Sequence, residues 1–596
     1  MNYLNYAKLA VVLVLLSFQS FAQDLELDWS ARLEYSNQKD GFFSHFIETN
    51  DQYVYGLNTN LALRPSKADD KIKIIAYDKI TMKQRASVAL RGYKENEAKK
   101  DTYKPLDYLK TLVFQDKVYV FWIKSTKQKK SGKEELYVET FSTELKRIDK
   151  LKKIYTHNLS DDINTSRFAK SSIVVLGNKE AGSEIIIGSE LPQKGDNVEF
   201  KFLILNSELE ASEESTIELP ITLKSTSYGL TSSYEYGKDG NIYVSSYIGL
   251  TREERKKAKK AEDLSYCVLS IINPETTDVK TFELRDDNKK INDFSYVITE
   301  KEIKIYGFFG DLEKDSKGQS IHGIFFTAIN SSTLEDDGLN YTYFDKKTID
   351  KLFASDKEDK KKTQALSKKK RAAAAKNDDE SLDTRYKIES MHVIDDKNIV
   401  LMCSKMRNYS VTTCTTSPQG GTTCTTNYYC EKRNVTAIRV SDEGEIIWAS
   451  NIDRSKTYSG WDIYDLKTAF KDNTFYCIYG SSYQIDATVK KGKTRKRYAE
   501  LRDNFEYATF DYETGKFKKN TFNVNKKNTE KKDMKYVDPL RMQVFDNTFY
   551  VNYMVTRQKI GWCVANVICF PTLYYTMLSG DTKKATGNLG VIKILD

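Results

Sequence analysis

KDNTFYCIYG, at Lys471–Gly480, decides the fold, because its pattern of a polar turn followed by a β-rich run with an early tyrosine returns along the chain. It reads NDQYVYG at Asn50–Gly56, QDKVYVF at Gln115–Phe121, KDGNIYVSS at Lys238–Ser246 and TEKEIKIYG at Thr299–Gly307. DDKNIVLMC at Asp395–Cys403 and FDNTFYVNY at Phe545–Tyr553 continue the series, and AGSEIIIG at Ala181–Gly188 is a weaker copy. Successive copies lie roughly 55–75 residues apart, with one gap near 95, the length of a β-propeller blade plus its loops.

Each copy expands into four strands. Around Lys471–Gly480 these are Leu466–Phe470 (a), Thr474–Gly480 (b), Phe505–Asp511 (c) and Lys518–Val524 (d). Asp472-Asn473 and Asp239-Gly240 are tight a–b turns of hairpin type. The c–d turn has its own signature, Asp or Asn followed three positions later by Thr, at Asp78/Thr81, Asn273/Thr276, Asn330/Thr333 and Asp511/Thr514. The Asx side chain there can accept a backbone N–H two residues on. These turns resemble the tryptophan-docking repeat of quinoprotein-type eight-bladed propellers, A-x-D-x-x-T-G-x-x-x-W, a family that includes an outer-membrane assembly scaffold. Asp511–Gly515 keeps the first half and lacks the tryptophan, whereas Gly444–Trp448 keeps the Gly-to-Trp spacing and lacks the Asp. The resemblance covers the repeat turns only and carries over no cofactor. The Thr/Tyr-rich stretch Tyr409–Tyr429 also resembles a hairpin of exported propeller proteins that have no assigned activity.

The two chain ends are expected to complete one blade. The last copy has strands a and b at Leu540–Thr556 and a closing strand at Gly590–Asp596, but no d strand of its own. Leu25–Ala31 (LELDWSA) resembles Glu445–Ser450 (EIIWAS), the d strand of the sixth unit, and would supply it, hiding two sheet edges. The expectation is an all-β chain with one propeller over residues 23–596, of eight four-stranded blades or, alternatively, seven. Basic insertions that are helical or disordered interrupt it at Thr251–Asp263 and at Lys346–Asp383.

Residues 1–22 read as a signal peptide: Lys8, the apolar run Leu9–Phe18, and Ser20 and Ala22 before a cleavage site at Gln23. The apolar run is shorter than the ~20 residues a membrane-spanning helix needs, and no cysteine follows the site to carry a lipid. An exported protein of a bacterial periplasm or cell surface follows, compatible with peripheral outer-membrane association. Thirty-nine tyrosines, 28 phenylalanines and eight prolines suit strands. A net charge of +9, from 93 basic and 84 acidic residues, does not call for nucleic acid. Eight cysteines in an exported chain favour disulfides. Cys414 and Cys424 fall symmetrically about Ser417-Pro418-Gln419-Gly420-Gly421, so they can face each other across a hairpin. Cys563 with Cys569 and Cys403 with Cys430 are further pairs, while Cys267 and Cys477 read as buried thiols.

In a propeller the b–c and d–a loops share one face, and most elaborations here are b–c loops. They carry Lys129 and Lys130, Lys256 and Lys257, Tyr428 and Tyr429, Lys493 and Arg495, and Trp562 and Tyr574 as candidate binding residues. Loops on a rigid scaffold are where binding resides, and this basic, aromatic set points to an envelope protein with an acidic surface or an anionic glycan; solvated lysine loops are the plainer reading.

Catalytic signatures are sparse. His45, His157, His322 and His392 have no metal-ligand spacing, and no G-x-S-x-G occurs. Ser441–Trp448 resembles a sialidase Asp-box with its tryptophan one residue late, a structural turn in that family. Asp311–Gly318 alternates carboxylates as a calcium loop would, with a late glycine and no bidentate glutamate. No cofactor, metal or catalytic residue is assigned. The expected role is a non-enzymatic envelope scaffold; the alternative is a carbohydrate-binding or glycoside-cleaving propeller.

Overall fold

The computed structural model describes residues 25–29, 33–35, 42–59, 72–90, 106–114, 116–127, 132–159, 172–178, 184–192, 198–219, 232–248, 266–286, 288–314, 320–352, 382–383, 386–395, 398–416, 422–460, 464–480, 482–490, 493–500, 504–523, 542–556 and 585–594. Residues 1–22, expected from the sequence to be a signal peptide, lie outside these residues.

Strand b explains the recurring phrase physically. In Lys117–Lys127 the residues Val118, Val120 and Trp122 pack toward one neighbouring sheet, and Tyr119, Phe121 and Ile123 toward the other. Both faces are buried, so the run is continuously apolar instead of alternating. The described residues build eight antiparallel sheets of four strands along the chain, one of them joined by the short fifth strand Leu33–Tyr35, and each sheet follows the order a-b-c-d. Eight hydrophobic clusters lie between them, each drawing side chains from two successive sheets. The last of these joins Phe43, Phe46 and Tyr77 of the first sheet to Tyr550 and Val591 of the eighth. First strands of neighbouring sheets touch at most of the junctions, as Phe42–Thr49 and Asp107–Phe114 do, and Gln543–Phe545 of the eighth meets Phe42–Thr49 of the first. The chain is an all-β propeller.

Ring closure falls where the sequence placed it. Leu25–Trp29 pairs with Ala585–Ile594 in the register Leu25↔Ile594 to Trp29↔Gly590, and so serves as the fourth strand of the eighth sheet. Leu25 is buried there against Ile592 and Phe505. Strands a to d of the seventh sheet, Lys467–Lys471, Thr474–Tyr479, Asn504–Asp511 and Phe517–Asn523, differ by a residue at most ends from the expected bounds.

Two turn devices recur. In the c–d turns Asp78 Oδ1 accepts from Thr81 N at 2.8 Å, Asn273 Oδ1 from Thr276 N at 3.1 Å, Asn330 Oδ1 from Thr333 N at 3.0 Å and Asp511 Oδ1 from Thr514 N at 2.7 Å. The next residue turns to positive φ: Met82, Thr277, Leu334 and Gly515. Three strand-b tyrosines then reach the c–d turn of the following sheet, whereas Tyr243 donates to Asp239 in its own a–b turn at 2.6 Å. Tyr55 donates to Thr143 O at 2.9 Å, Tyr119 to Ser207 O at 3.4 Å and Tyr306 to Ser441 O at 3.1 Å. Burial pushes the Tyr119 phenol up to about 12, so it stays a donor.

The two half-matches to the docking repeat form one contact. Trp448, from the fourth strand of the sixth sheet, lays its indole on Gly515 in the c–d turn of the seventh and donates Nε1–H to Tyr512 O at 2.8 Å. A Cβ on Gly515 would sit 2.5 Å from the indole.

Candidate functional site

The b–c and d–a connections emerge on one side. This is visible in the fifth sheet, where Ser320–Ile321 of its b–c connection pairs with Leu382–Asp383, the end of the following d–a insertion. That insertion begins with a helix, Lys346–Leu352, whose Ile349 and Leu352 pack between the fifth and sixth sheets. Apolar residues three apart share a helix face, so this end of a charged segment is anchored.

The most developed element on that side is the b–c hairpin of the sixth sheet, Asn398–Thr416 paired with Thr422–Ser441. Pairing with the inner strand stops at Tyr386↔Lys405 and with the outer strand at Tyr429↔Ser459. From Ser410↔Tyr428 to Thr416↔Thr422 the two strands pair only with each other within the sheet, a ribbon reaching ~24 Å at ~3.4 Å per residue. Val411 and Tyr428 are 45% and 50% exposed, and the flanking threonines are exposed. An isolated two-stranded ribbon is marginal in water; here Cys414 and Cys424, directly opposite in register, are joined by the disulfide expected from the sequence.

The Cys403–Cys430 pairing is overturned. Cys403 lies opposite Thr436 and Cys430 opposite Asn408, five residues along the strand, or ~17 Å, far beyond a disulfide's ~7 Å Cα limit. Cys267 and Cys477 are buried thiols, with burial raising both above the ordinary range.

Tyr428 and Tyr429 point to opposite faces of the ribbon, as consecutive strand residues must. Tyr429 stacks on Tyr409 with ring centres 5.3 Å apart. Lys493 and Arg495 lie on a second hairpin, Ser482–Lys490 with Lys493–Glu500, opposite Lys490 and Thr488 in register. Sequence showed only a basic loop there. Lys129, Lys130, Lys256, Lys257, Trp562, Tyr574, Cys563 and Cys569 lie outside the described residues.

Beneath the ribbon is a buried ionic network that the sequence reading missed. Lys432 Nζ lies 2.7 Å from Glu389 Oε1, and Arg454 Nη1 lies 2.7 Å from Asp465 Oδ2 with Nη2 3.6 Å from Glu389 Oε1; all four side chains are at most 1% exposed. Tyr458 OH donates to Asp465 at 2.6 Å, Ser404 OH donates to Glu389, and Leu466 N donates to Glu389 Oε2 at 3.2 Å. Burial pushes Asp465 upward, but the Arg454 charge outweighs it and holds the carboxyl below its ordinary value. Two carboxylates bridged by one guanidinium and sealed from solvent stabilise each other's neighbours. They do not form the solvent-facing acid–base pair that glycoside cleavage requires.

The histidines sit in structural settings. His157 is buried and its pKa is lowered by burial. His322 Nδ1 accepts from Asp311 N at 3.0 Å. His392 Nε2 meets Thr468 Oγ1 at 2.7 Å and Ser390 Oγ at 3.0 Å, and burial takes its pKa to about 4. In the Asp311–Gly318 segment, Asp311 Oδ2 accepts from Tyr343 OH at 2.5 Å and lies 3.1 Å from Lys289 Nζ, so this carboxylate is committed to protein partners. Among the described residues no cluster of His, Cys, Asp and Glu could hold a metal ion, and no helix is long and apolar enough to cross a membrane.

No protein-family model matches the chain, and comparison with curated proteins returns no match. Among solved structures the chain is similar to the WD40 domain of SCAP from fission yeast, at 7% identity and TM-score 0.32, covering 96% of this chain and 98% of that one. It is also similar to an ulvan lyase, a polysaccharide lyase bound to its sugar, at 10% identity and TM-score 0.34 over 83% and 96%. A third is the acylaminoacyl peptidase of Pyrococcus horikoshii, at 10% identity and TM-score 0.28 over 76% and 58%. Overlaps this loose say nothing about the site; the propeller stands on its own strand order.

Proposed function

We propose that the eight sheets are the blades of an exported, non-enzymatic scaffold of the bacterial envelope. Its long-looped face holds a protein partner, with the stapled hairpin of the sixth sheet as the main docking element. The observation that carries the reading is the ribbon Ser410–Tyr428, solvent-exposed through its paired length and cross-linked near its tip. A ribbon that contributes so little to the core is retained at the cost of ordering its residues, and a staple lowers the entropy lost on binding. The disulfide fits an oxidising compartment, in line with the leader read at residues 1–22.

The test is site-specific photo-crosslinking in intact envelopes, with the reactive group at Val411 and, as control, at Ile80, a 74%-exposed residue of a c–d turn on the opposite side. A stoichiometric protein adduct from position 411 and none from position 80 is expected. No adduct at 411, together with sugar release from envelope polysaccharide by the purified protein, would replace the scaffold with the carbohydrate-active alternative.

A further inference from the structure

The register of the ribbon shows which backbone groups its free edge presents. Cys414 and Cys424 face each other with Cα atoms 4.0 Å apart. That is the spacing of a pair that exchanges no backbone hydrogen bonds, since bonded pairs sit at ~5.5 Å. Gly460 N donates to Tyr428 O at 2.9 Å, so Tyr428 aims its carbonyl away from Ser410, and this pair too is of the unbonded kind. Both observations set one phase. Val411, Thr413 and Thr415 bond across the ribbon, while Ser410, Thr412, Cys414 and Thr416 aim N–H and C=O out of its edge.

Strand edges of this kind are ordinarily guarded by lysine, proline or a bulge. Ser410–Thr416 (SVTTCTT) has no charged residue, no proline and no register shift, and residues 410–415 are exposed. The opposite edge is blocked at its base, where Gly460 takes the Tyr428 carbonyl. We propose that the edge Ser410–Thr416 receives an extended, uncharged segment of the partner protein as a third strand. The proposal rests on the ribbon being the docking element. The outward groups recur every two residues, ~6.8 Å, as do the bonding groups along one edge of another extended chain. Val411 and the threonines favour β-branched neighbours, and a charged residue on the incoming strand finds no counter-charge along Ser410–Thr416. A second copy of this chain fits less well. Two ribbons edge to edge share seven residues a side, where a standard interface takes about 20–30, and both bodies carry the same net charge of +9.

The test measures binding of a fluorescent (Thr-Val)4 peptide to the full-length protein, against the same peptide with every amide N-methylated. The variants are Thr412→Pro and, as control, Thr426→Pro. These residues lie opposite each other in register, so each proline removes one outward N–H, from the proposed edge or from the other, and neither breaks a bond of the ribbon. Wild type and Thr426→Pro should bind alike and indifferently to salt, Thr412→Pro should lose about tenfold or more, and the methylated peptide should not bind. Both variants should keep the disulfide, which separates loss of the edge from misfolding. The proposal is overturned if the wild type does not bind (Thr-Val)4, if the methylated peptide binds as tightly, or if Thr412→Pro binds as well as Thr426→Pro. A dimer in sedimentation that Thr412→Pro alone dissolves would assign the edge to a second copy, against the proposal. If position 411 still crosslinks its partner in Thr412→Pro, strand addition fails while the docking role stands; absence of any adduct at 411 in the wild type removes both.

Discussion

Replacing Gly515 by alanine should test whether the sixth and seventh sheets are held together as described. Gly515 has φ +65, so an alanine there carries backbone strain of about 1 kcal/mol. Its Cβ would also lie 2.5–2.8 Å from three atoms of the Trp448 indole, well inside ordinary contact. The indole must then retreat, at an overpacking cost of about 1–3 kcal/mol, the upper end applying if the Nε1–H bond to Tyr512 O breaks. Gly338 provides the control: φ is +75 and a Cβ there meets nothing within 4 Å, so Gly338→Ala should cost only the backbone strain. Urea midpoints followed by tryptophan fluorescence should place Gly515→Ala about 1–3 kcal/mol below Gly338→Ala. In a Trp448→Ala background the excess should vanish, as a double-mutant cycle requires. If Gly515→Ala matches Gly338→Ala in the wild type, or keeps its excess without the indole, the docking contact is not what joins these sheets.

Tyr55→Phe should cost about 1–2 kcal/mol in urea unfolding, because it removes the donor to a turn carbonyl of the next sheet; Tyr306→Phe should cost less, about 0.5–1 kcal/mol, because Ser441 O still accepts from Gly444 N at 3.0 Å. Arg454→Met should cost about 3–5 kcal/mol, since it leaves Asp465 and Glu389 buried beside a single remaining cation, Lys432; a loss below 1 kcal/mol would mean the network is hydrated. Burial opposes ionisation of Asp311, but donation from Tyr343 and Lys289 outweighs it and holds the carboxyl at about 2. A depressed folded-state pKa contributes stability that is present above the unfolded value, near 4, and is lost as pH falls toward 2. The urea midpoint of Asp311→Asn should therefore change less over that window than that of the wild type. Reducing Cys414–Cys424 should raise hydrogen exchange in residues 409–429 and leave the core strands protected; uniform exchange increases across the sheets would contradict the ribbon's independence.

What sequence reveals here follows from how the sheets pack. Strand b is buried on both faces, so it is written as a continuous apolar run, and in three sheets its tyrosine reaches the neighbouring turn. The c–d turns are local chemistry within four residues, legible wherever Asx and Thr keep their spacing. Ring closure was legible because LELDW needs a partner edge and the last sheet lacks a fourth strand. The ionic network was not, since Glu389, Lys432 and Arg454 come from three strands of the sixth sheet and Asp465 from the connection just before Lys467–Lys471 of the seventh, and they meet only when those elements pack. Its one local trace is lysine and arginine inside otherwise buried strands, a pattern that solvent-facing positions also produce. The Cys403–Cys430 expectation failed for a related reason: sequence separation said nothing of the five-residue offset that the hairpin register imposes.

The network and the disulfide make sense together as register devices. The ribbon is rich in threonine on both strands, with Thr412↔Thr426, Thr413↔Thr425, Thr415↔Thr423 and Thr416↔Thr422 in register, so a slip exchanges like for like and costs little along its length. Below it the cost is large. Moving the second strand one residue would swing Lys432 to the opposite face, away from Glu389, leaving a buried carboxylate with less compensation. Such losses cost several kcal/mol even where the intact pair contributes little net stability. Above, the disulfide permits only the register that sets Cys414 opposite Cys424. The chain thus pins its register once below the threonine rows and once among them, where side-chain identity cannot.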